Sequence, residues 1–118
     1  MDAVTALQTF LAGALAWKHE RYIGFVAKPK TQTKFLREIY HGLDSDLDDA
    51  KAIPKLPASR GPLAGYRYAP PDEFGTPVAD IRKECDSIDD SVLIVSSDGR
   101  FGIYTPESDC DGRRIFRV

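Results

Sequence analysis

A chain of 118 residues with 42% hydrophobic and 29% charged residues has the make-up of one globular domain, large enough to bury a core without a metal or disulfide staple. A net charge of −2 and a pI near 5.6 exclude any global attraction to nucleic acid or to an anionic membrane surface. The longest apolar stretch, residues 11–17, is far shorter than a membrane span and follows no basic segment. The expected location is therefore the cytoplasm, with Cys85 and Cys110 reduced and no cofactor implied.

Val4, Leu7, Phe10, Leu11, Ala14, Leu15 and Lys18 recur at three- and four-residue steps behind Asp2 as N-cap, which predicts an amphipathic helix of about four turns. Residues 21–26 hold Tyr, Ile, Phe and Val ahead of Pro29 and read as a short strand that stops at Lys28. A second helix is expected from Thr31 or Thr33. Its apolar face is Phe35, Leu36, Ile39 and Leu43, continued by Leu47 and Ala50, with a break and restart at Asp44 or Ser45 suggested by capping-box spacing.

From Pro54 to Pro77 the periodicity collapses in a stretch holding six of the eight prolines. This predicts a long loop, ordered because Leu63, Tyr66, Tyr68 and Phe74 have apolar surface to bury, with one extended piece at residues 66–69. Thr76-Pro77 has the form of an N-cap and first helical residue for a third helix over residues 78–87.

The run Ser91 to Thr105 is the strongest local signal in the chain. Asp98-Gly99 between two β-rich segments predicts a hairpin with a two-residue type I′ turn, setting Ile94 opposite Ile103, Leu93 opposite Tyr104 and Ser96 opposite Phe101. Residues 92–95 are apolar at every position, so this strand should be covered on both faces. Arg114 to Val118 returns as a third strand. The fold class is α+β over residues 1–118: helices packed mainly on one face of a small antiparallel sheet that ends in a three-strand meander.

Chemistry is less legible. No nucleophile, zinc or phosphate-loop motif is present, and His19 and His41 are the only histidines. Glu107 to Gly112 has the oxygen spacing of the first half of a calcium loop, but the twelfth position is Val118 where a bidentate Glu is needed. Asp44 to Asp49 lacks the glycine and has Lys55 at its twelfth place. No metal site is expected from either.

Two candidate binding features stand out. Arg60, Tyr66, Arg67 and Tyr68 are of types enriched at interface hot spots, and form the expected protein-binding surface; the competing structural reading is that the tyrosines anchor the loop to the core. Lys18, Arg21, Lys28, Lys30, Lys34 and Arg37, with Glu20 the only acid among them, give a local charge of +5 interleaved with Tyr22 and Phe25. With His41 this segment is the candidate nucleic-acid contact. Residues 44–49 carry −4 and residues 80–98 a further −4, a polarity suited to a charged protein partner or to compensation between neighbouring elements.

The function expected from these features is a non-catalytic cytoplasmic protein-interaction module, such as an inhibitor, immunity-type or adaptor protein, with another protein as partner and no membrane. The alternative is a small nucleic-acid hydrolase or nucleic-acid-binding protein using Lys18 to Arg37, with His19 or His41 and a carboxylate such as Glu20 or Glu38 for acid–base work.

Overall fold

The computed structural model describes residues 1–17, 20–69, 73–86, 92–105 and 113–118. Helices α1 (Ala3–Ala14), α2 (Glu20–Ala27) and α3 (Pro29–Asp46) come first, then a 3-10 turn (Asp49–Lys51) and strands β1 (Ala52–Ile53), β2 (Gly65–Ala69) and β3 (Glu73–Val78). Helix α4 (Ile81–Asp86) precedes β4 (Val92–Ser96), β5 (Phe101–Thr105) and β6 (Arg114–Arg117). All pairings are antiparallel, in the order β1-β6-β5-β4-β2-β3. The chain is an α+β protein, with β4, β5 and β6 adjacent as a meander. Among the described residues no helix is long and apolar enough to cross a membrane.

Alternation along β4 explains the layering. Leu93 and Val95 face the main core with Phe10, Leu11, Val26, Phe35, Tyr68 and Phe116, under α1 to α3. Val92 and Ile94 turn the other way and join Ile103, Val78 and Ile81 in a second cluster, against which Leu56 and Leu63 pack. Every residue of β4 is buried, as its continuous apolar run requires of a strand covered on both faces.

Helix α1 begins where the N-cap chemistry of Asp2 places it: the carboxylate accepts the Thr5 N–H at 2.7 Å. It ends at Ala14, short of Lys18, because the chain turns extended there and Leu15 bridges to Leu47. The approach of α1 to the sheet is close. A methyl group on Gly102 would lie 2.3 Å from a carbon of the Phe10 ring, so the absent side chain is the seat for that ring.

Four expectations are corrected. Residues 21–26 are helical: Tyr22 and Val26, one turn apart, are both buried against α1 and α3, so the three-dimensional context favours a period of 3.6 over the strand preference of Tyr, Ile and Val. Pro29 opens α3 instead of ending a strand, since its fixed φ and missing N–H suit a first helical position. The helix then runs unbroken to Asp46, and the restart belongs to Asp48, whose carboxylate accepts the Ala50 N–H at the 3-10 turn.

The proline-rich stretch is the third case. It contains two strands, β2 and β3, and Pro77 lies in β3 and not at a helix start. Position matters here: β3 is the outer strand of the sheet, where a missing N–H costs no ladder bond. Between β2 and β3 the register shifts at Arg67/Tyr68, leaving Gly75 as the extra residue of a bulge at φ +75°, a conformation suited to glycine. The third helix accordingly starts at Ile81, where Asp80 accepts the Arg82 N–H, and the other neighbour of β4 is β2.

The hairpin pairs as expected at Ile94–Ile103 and Leu93–Tyr104, but its turn is not type I′. Gly99 alone has positive φ, and its N–H closes on the Ser96 carbonyl at 2.9 Å, so the connection is a four-residue loop, Ser97 to Arg100. Side chains complete it. The Ser96 hydroxyl donates to Asp98 at 2.7 Å and accepts the Phe101 N–H at 3.0 Å, while Asp98 also accepts the Arg100 N–H.

Partial burial pushes the Asp98 carboxyl up, but the Ser96 hydroxyl and Arg100 N–H together outweigh it and hold the group below its usual 3.8. A depressed carboxyl contributes stability above its unfolded pKa that is lost as pH falls through the folded one. The stability difference between wild type and Asp98→Ala, measured by urea unfolding, should therefore be constant near neutrality and shrink as pH falls below about 4. A difference that stays constant into acid would show that the carboxylate is not the stabilising form.

Tyr68 supplies a second test. It is fully buried, stacks edge-on against Phe74 and donates its hydroxyl to the Ala3 carbonyl, tying β2 to the first turn of α1. Tyr68→Ala should destabilise by about 3–5 kcal/mol through lost burial and an open cavity, and Tyr68→Phe by only about 1 kcal/mol. Equal costs in urea unfolding would contradict the packing role of the ring.

Candidate functional site

The four residues of the expected loop surface do not form one. Tyr68 is in the core, and burial holds its phenol protonated well above the usual range. Tyr66 is half-buried and donates its hydroxyl to the Met1 carbonyl at 2.8 Å. Both tyrosines alternate onto the helix side of β2, leaving Arg67 on the other side.

There Arg67 is a clamp. Its Nε donates to Glu73 at 2.7 Å and a terminal nitrogen to Glu84 at 2.8 Å, joining β2, β3 and α4. The hydrogen bond to Glu73 is the main cause of the upward shift of its pKa. Arg60 alone of the four is exposed, in a turn where the Ser59 hydroxyl and the Gly61 backbone bond each other. The segment between β1 and β2 is held down by Arg82, which donates to the Pro57 carbonyl at 2.8 Å, and by the Ile81 N–H on Leu63 at 2.8 Å.

The basic segment, by contrast, is assembled into one surface by the α2–α3 hairpin. Thr31 donates its hydroxyl to the Phe25 carbonyl at 2.6 Å across the bend, and Arg21 reaches from α2 to Glu38 of α3 at 2.5 Å. Phe35, Leu36 and Leu43 turn inward, so the opposite side of α3 carries Lys30, Lys34 and Arg37 at steps of four and three. Arg21 and Lys34 both lie over the half-buried Phe25 ring, at 5.8 and 5.2 Å.

Charge pairing on this surface is unequal. Lys28, Lys30, Lys34 and Arg37 are exposed, and none of them pairs with a carboxylate among the described residues. Several of the described acidic residues are engaged: Asp46 accepts the Tyr22 hydroxyl, Asp48 caps the 3-10 turn, Asp49 pairs with Arg114, and Glu73 and Glu84 hold Arg67. Asp80 and Asp98 are bound in turns. Cation partners among the described residues are thus shown for Glu38, Glu73, Glu84, Asp98 and Asp49, and carboxylate partners are not shown for Lys28, Lys30, Lys34 or Arg37.

The stripe also opposes the helix dipole. Lys28 is the N-cap of α3 without a side-chain cap bond, Lys30 follows, and no acidic residue occupies the first turn. Cations at a helix N-terminus are unfavourable by about 0.3–1 kcal/mol each at low salt. Their positions rise about 6 Å and then about 4.5 Å along the axis, well within a Debye length of about 8 Å, so their fields add.

Lys18 and His19 lie outside the described residues, as do Cys110 and the calcium-like segment 107–112. His41 falls on α3, and Cys85 on α4. Among the described residues no group of three or more His, Cys, Asp or Glu side chains is placed to hold a metal ion. One residue was overlooked in the sequence. Trp17 is 69% exposed, directly after Ala16, whose N–H bonds the Asp46 carbonyl at the C-terminal end of α3. The available signal was its place beyond the last inward-facing residue of α1, outside the apolar period.

Comparison with protein-family models, curated proteins and solved structures found no match.

The clamp yields a structural prediction. Arg67→Ala should cost about 1–2 kcal/mol in urea unfolding by freeing two half-buried carboxylates, and should speed amide exchange in α4 more than in α3. Uniform acceleration across both helices would argue against a local role.

Proposed function

We propose that this chain is a non-catalytic interaction module of the inhibitor, immunity or adaptor kind, working in the cytoplasm, that docks through the outer face of α2 and α3 on an acidic surface of another protein. One observation carries the reading: Lys28, Lys30, Lys34 and Arg37 stand exposed and pair with no carboxylate among the described residues, while many described acidic residues are engaged in internal bonds. Unpaired like charges in a row raise the encounter rate with a complementary surface and exclude like-charged ones.

A protein partner is favoured over nucleic acid by the surroundings of the stripe. Glu38 sits beside it, bonded to Arg21, and the whole chain carries −2. A protein surface can place a donor opposite Glu38, whereas the oxygens of a phosphate backbone only accept and meet that carboxylate unfavourably.

Lys30→Glu, Lys34→Glu and Arg37→Glu together should leave the circular dichroism unchanged and abolish capture of a stoichiometric acidic protein from native lysate at about 50 mM salt. Raising salt to about 500 mM should weaken wild-type capture in the same way. Failure to retain any stoichiometric partner at low salt, or capture that nuclease treatment removes, would overturn the reading.

A further inference from the structure

The proline-rich segment that crosses the second sheet face is pinned at two points, and both pins lie on three consecutive residues at the start of α4. Arg82 donates to the Pro57 carbonyl at 2.8 Å, the Ile81 N–H donates to the Leu63 carbonyl at 2.8 Å, and Asp80 accepts the Leu63 N–H. Leu56 and Leu63 add apolar anchors by packing on the second core cluster. The chain between them is a short loop whose two ends are held to one helix end.

Residues 58–62 within this loop are all exposed, and Arg60 is the middle one. Its guanidinium pairs with no carboxylate among the described residues. A methyl group on Gly61 would meet nothing within 4 Å, so the space beside the Arg60–Gly61 bond is open. The backbone there is braced: the Ser59 hydroxyl donates to the Gly61 carbonyl at 3.1 Å and accepts the Gly61 N–H at 3.4 Å, across Arg60. Pro57 and Pro62 fix φ on either flank.

Such a loop has already lost, on folding, freedom that a free peptide would lose on binding. Its shape selects the partner. A flat acidic surface would accept any exposed cation and gain nothing from a pinned, convex backbone. A cleft that takes main chain on both sides of one basic side chain gains from both, and trypsin-class serine proteases have such a cleft, with an aspartate in the S1 pocket that selects the basic residue.

We infer that residues 58–62 form a protease-binding loop, with Arg60 entering the acidic S1 pocket of a trypsin-class serine protease and Arg82 as the positioning residue that holds the loop in shape. The loop lies on the opposite sheet face from α2 and α3, so this contact is additional to the one proposed above. Inhibition follows from the two pins. When the protease serine adds to the Arg60 carbonyl and the bond to Gly61 opens, the hydroxyl proton passes to the Gly61 nitrogen as the leaving amine. That amine stays tied through Leu63 to Asp80 and Ile81, so it re-adds to the acyl carbon and returns the proton to the departing serine faster than water hydrolyses the ester.

The probe is trypsin acting on a small chromogenic arginyl substrate while the intact chain is titrated in. Competitive inhibition with a Ki of about 1 μM or tighter is expected. Arg60→Ala leaves every other Lys and Arg in place, and should weaken inhibition about a hundredfold with an unchanged circular dichroism spectrum. Arg60→Leu should lose trypsin and gain chymotrypsin, whose pocket is apolar. Arg82→Ala should weaken inhibition about tenfold and speed cleavage of the Arg60–Gly61 bond, read by mass spectrometry.

A linear peptide of residues 54–64 should be cut at that bond at least about tenfold faster than the intact chain. Absence of competitive inhibition at about 10 μM, or inhibition that survives Arg60→Ala, overturns the loop assignment. Cleavage of the intact chain as fast as the peptide makes the loop a substrate and overturns the inhibition. Unchanged inhibition and cleavage in Arg82→Ala removes that residue from its positioning role.

Discussion

The seating of Phe10 on Gly102 is the constraint on which the arrangement of this molecule depends. A helix normally stands off a sheet by the thickness of two side-chain layers, but the bare backbone at Gly102 lets the Phe10 ring settle against β5. Around that contact α1 meets four other parts of the sheet. Tyr66 and Tyr68 of β2 donate to the carbonyls of Met1 and Ala3, Gly75 of β3 lies against Ala3, the Gly99 turn lies against Ala6 and Thr9, and Val118 packs on Gly13. Phe10 is completely buried as a result.

With α1 occupying the centre of one sheet face, α2 and α3 are left to cover its flank as a hairpin. Their inward residues, Val26, Phe35, Leu36 and Leu43, complete the core, and Phe35 meets Phe74 edge-on at 6.2 Å. Among the described residues nothing lies over the outer side of α3, where Lys30, Lys34 and Arg37 are exposed. Placement of the basic stripe in solvent is thus a consequence of core packing, and Glu38, the carboxylate beside it, is taken up by Arg21. Tyr22, the cap of the 3-10 turn and Arg114 take up Asp46, Asp48 and Asp49, at the opposite end of the same helix.

The second face of the sheet is built differently. A short helix and a proline-rich segment cover it, anchored by Ile81, Leu56 and Leu63 on Val92, Ile94 and Ile103. Polar bonds contribute more there: Arg67 between Glu73 and Glu84, Arg82 on the Pro57 carbonyl, and Asp80 accepting both the Arg82 and Leu63 N–H groups. An arginine and two tyrosines in a proline-rich stretch resemble a contact surface in composition. Alternation along β2 divides them, sending the tyrosines under α1 and the arginine to a clamp.

Features encoded over a few residues were readable without coordinates. The N-cap at Asp2, the inward face of α3, the pairing of Ile94 with Ile103, the double burial of β4 and the return of β6 rest on periodicity and local hydrogen bonding. Where neighbours distant in the chain compete with local preference, the reading changed. Residues 22–26 have strand-forming side chains but wind into a helix because α1 and α3 offer Tyr22 and Val26 a common surface; Pro77 enters a strand because that strand has a free edge; Asp98 keeps negative φ because Ser96 and Arg100 bond its carboxylate. The basic residues could be counted in advance; that Lys30, Lys34 and Arg37 pair with no carboxylate among the described residues could not. Pairing depends on which acids fold within reach, and that follows from the packing of α1 on the sheet.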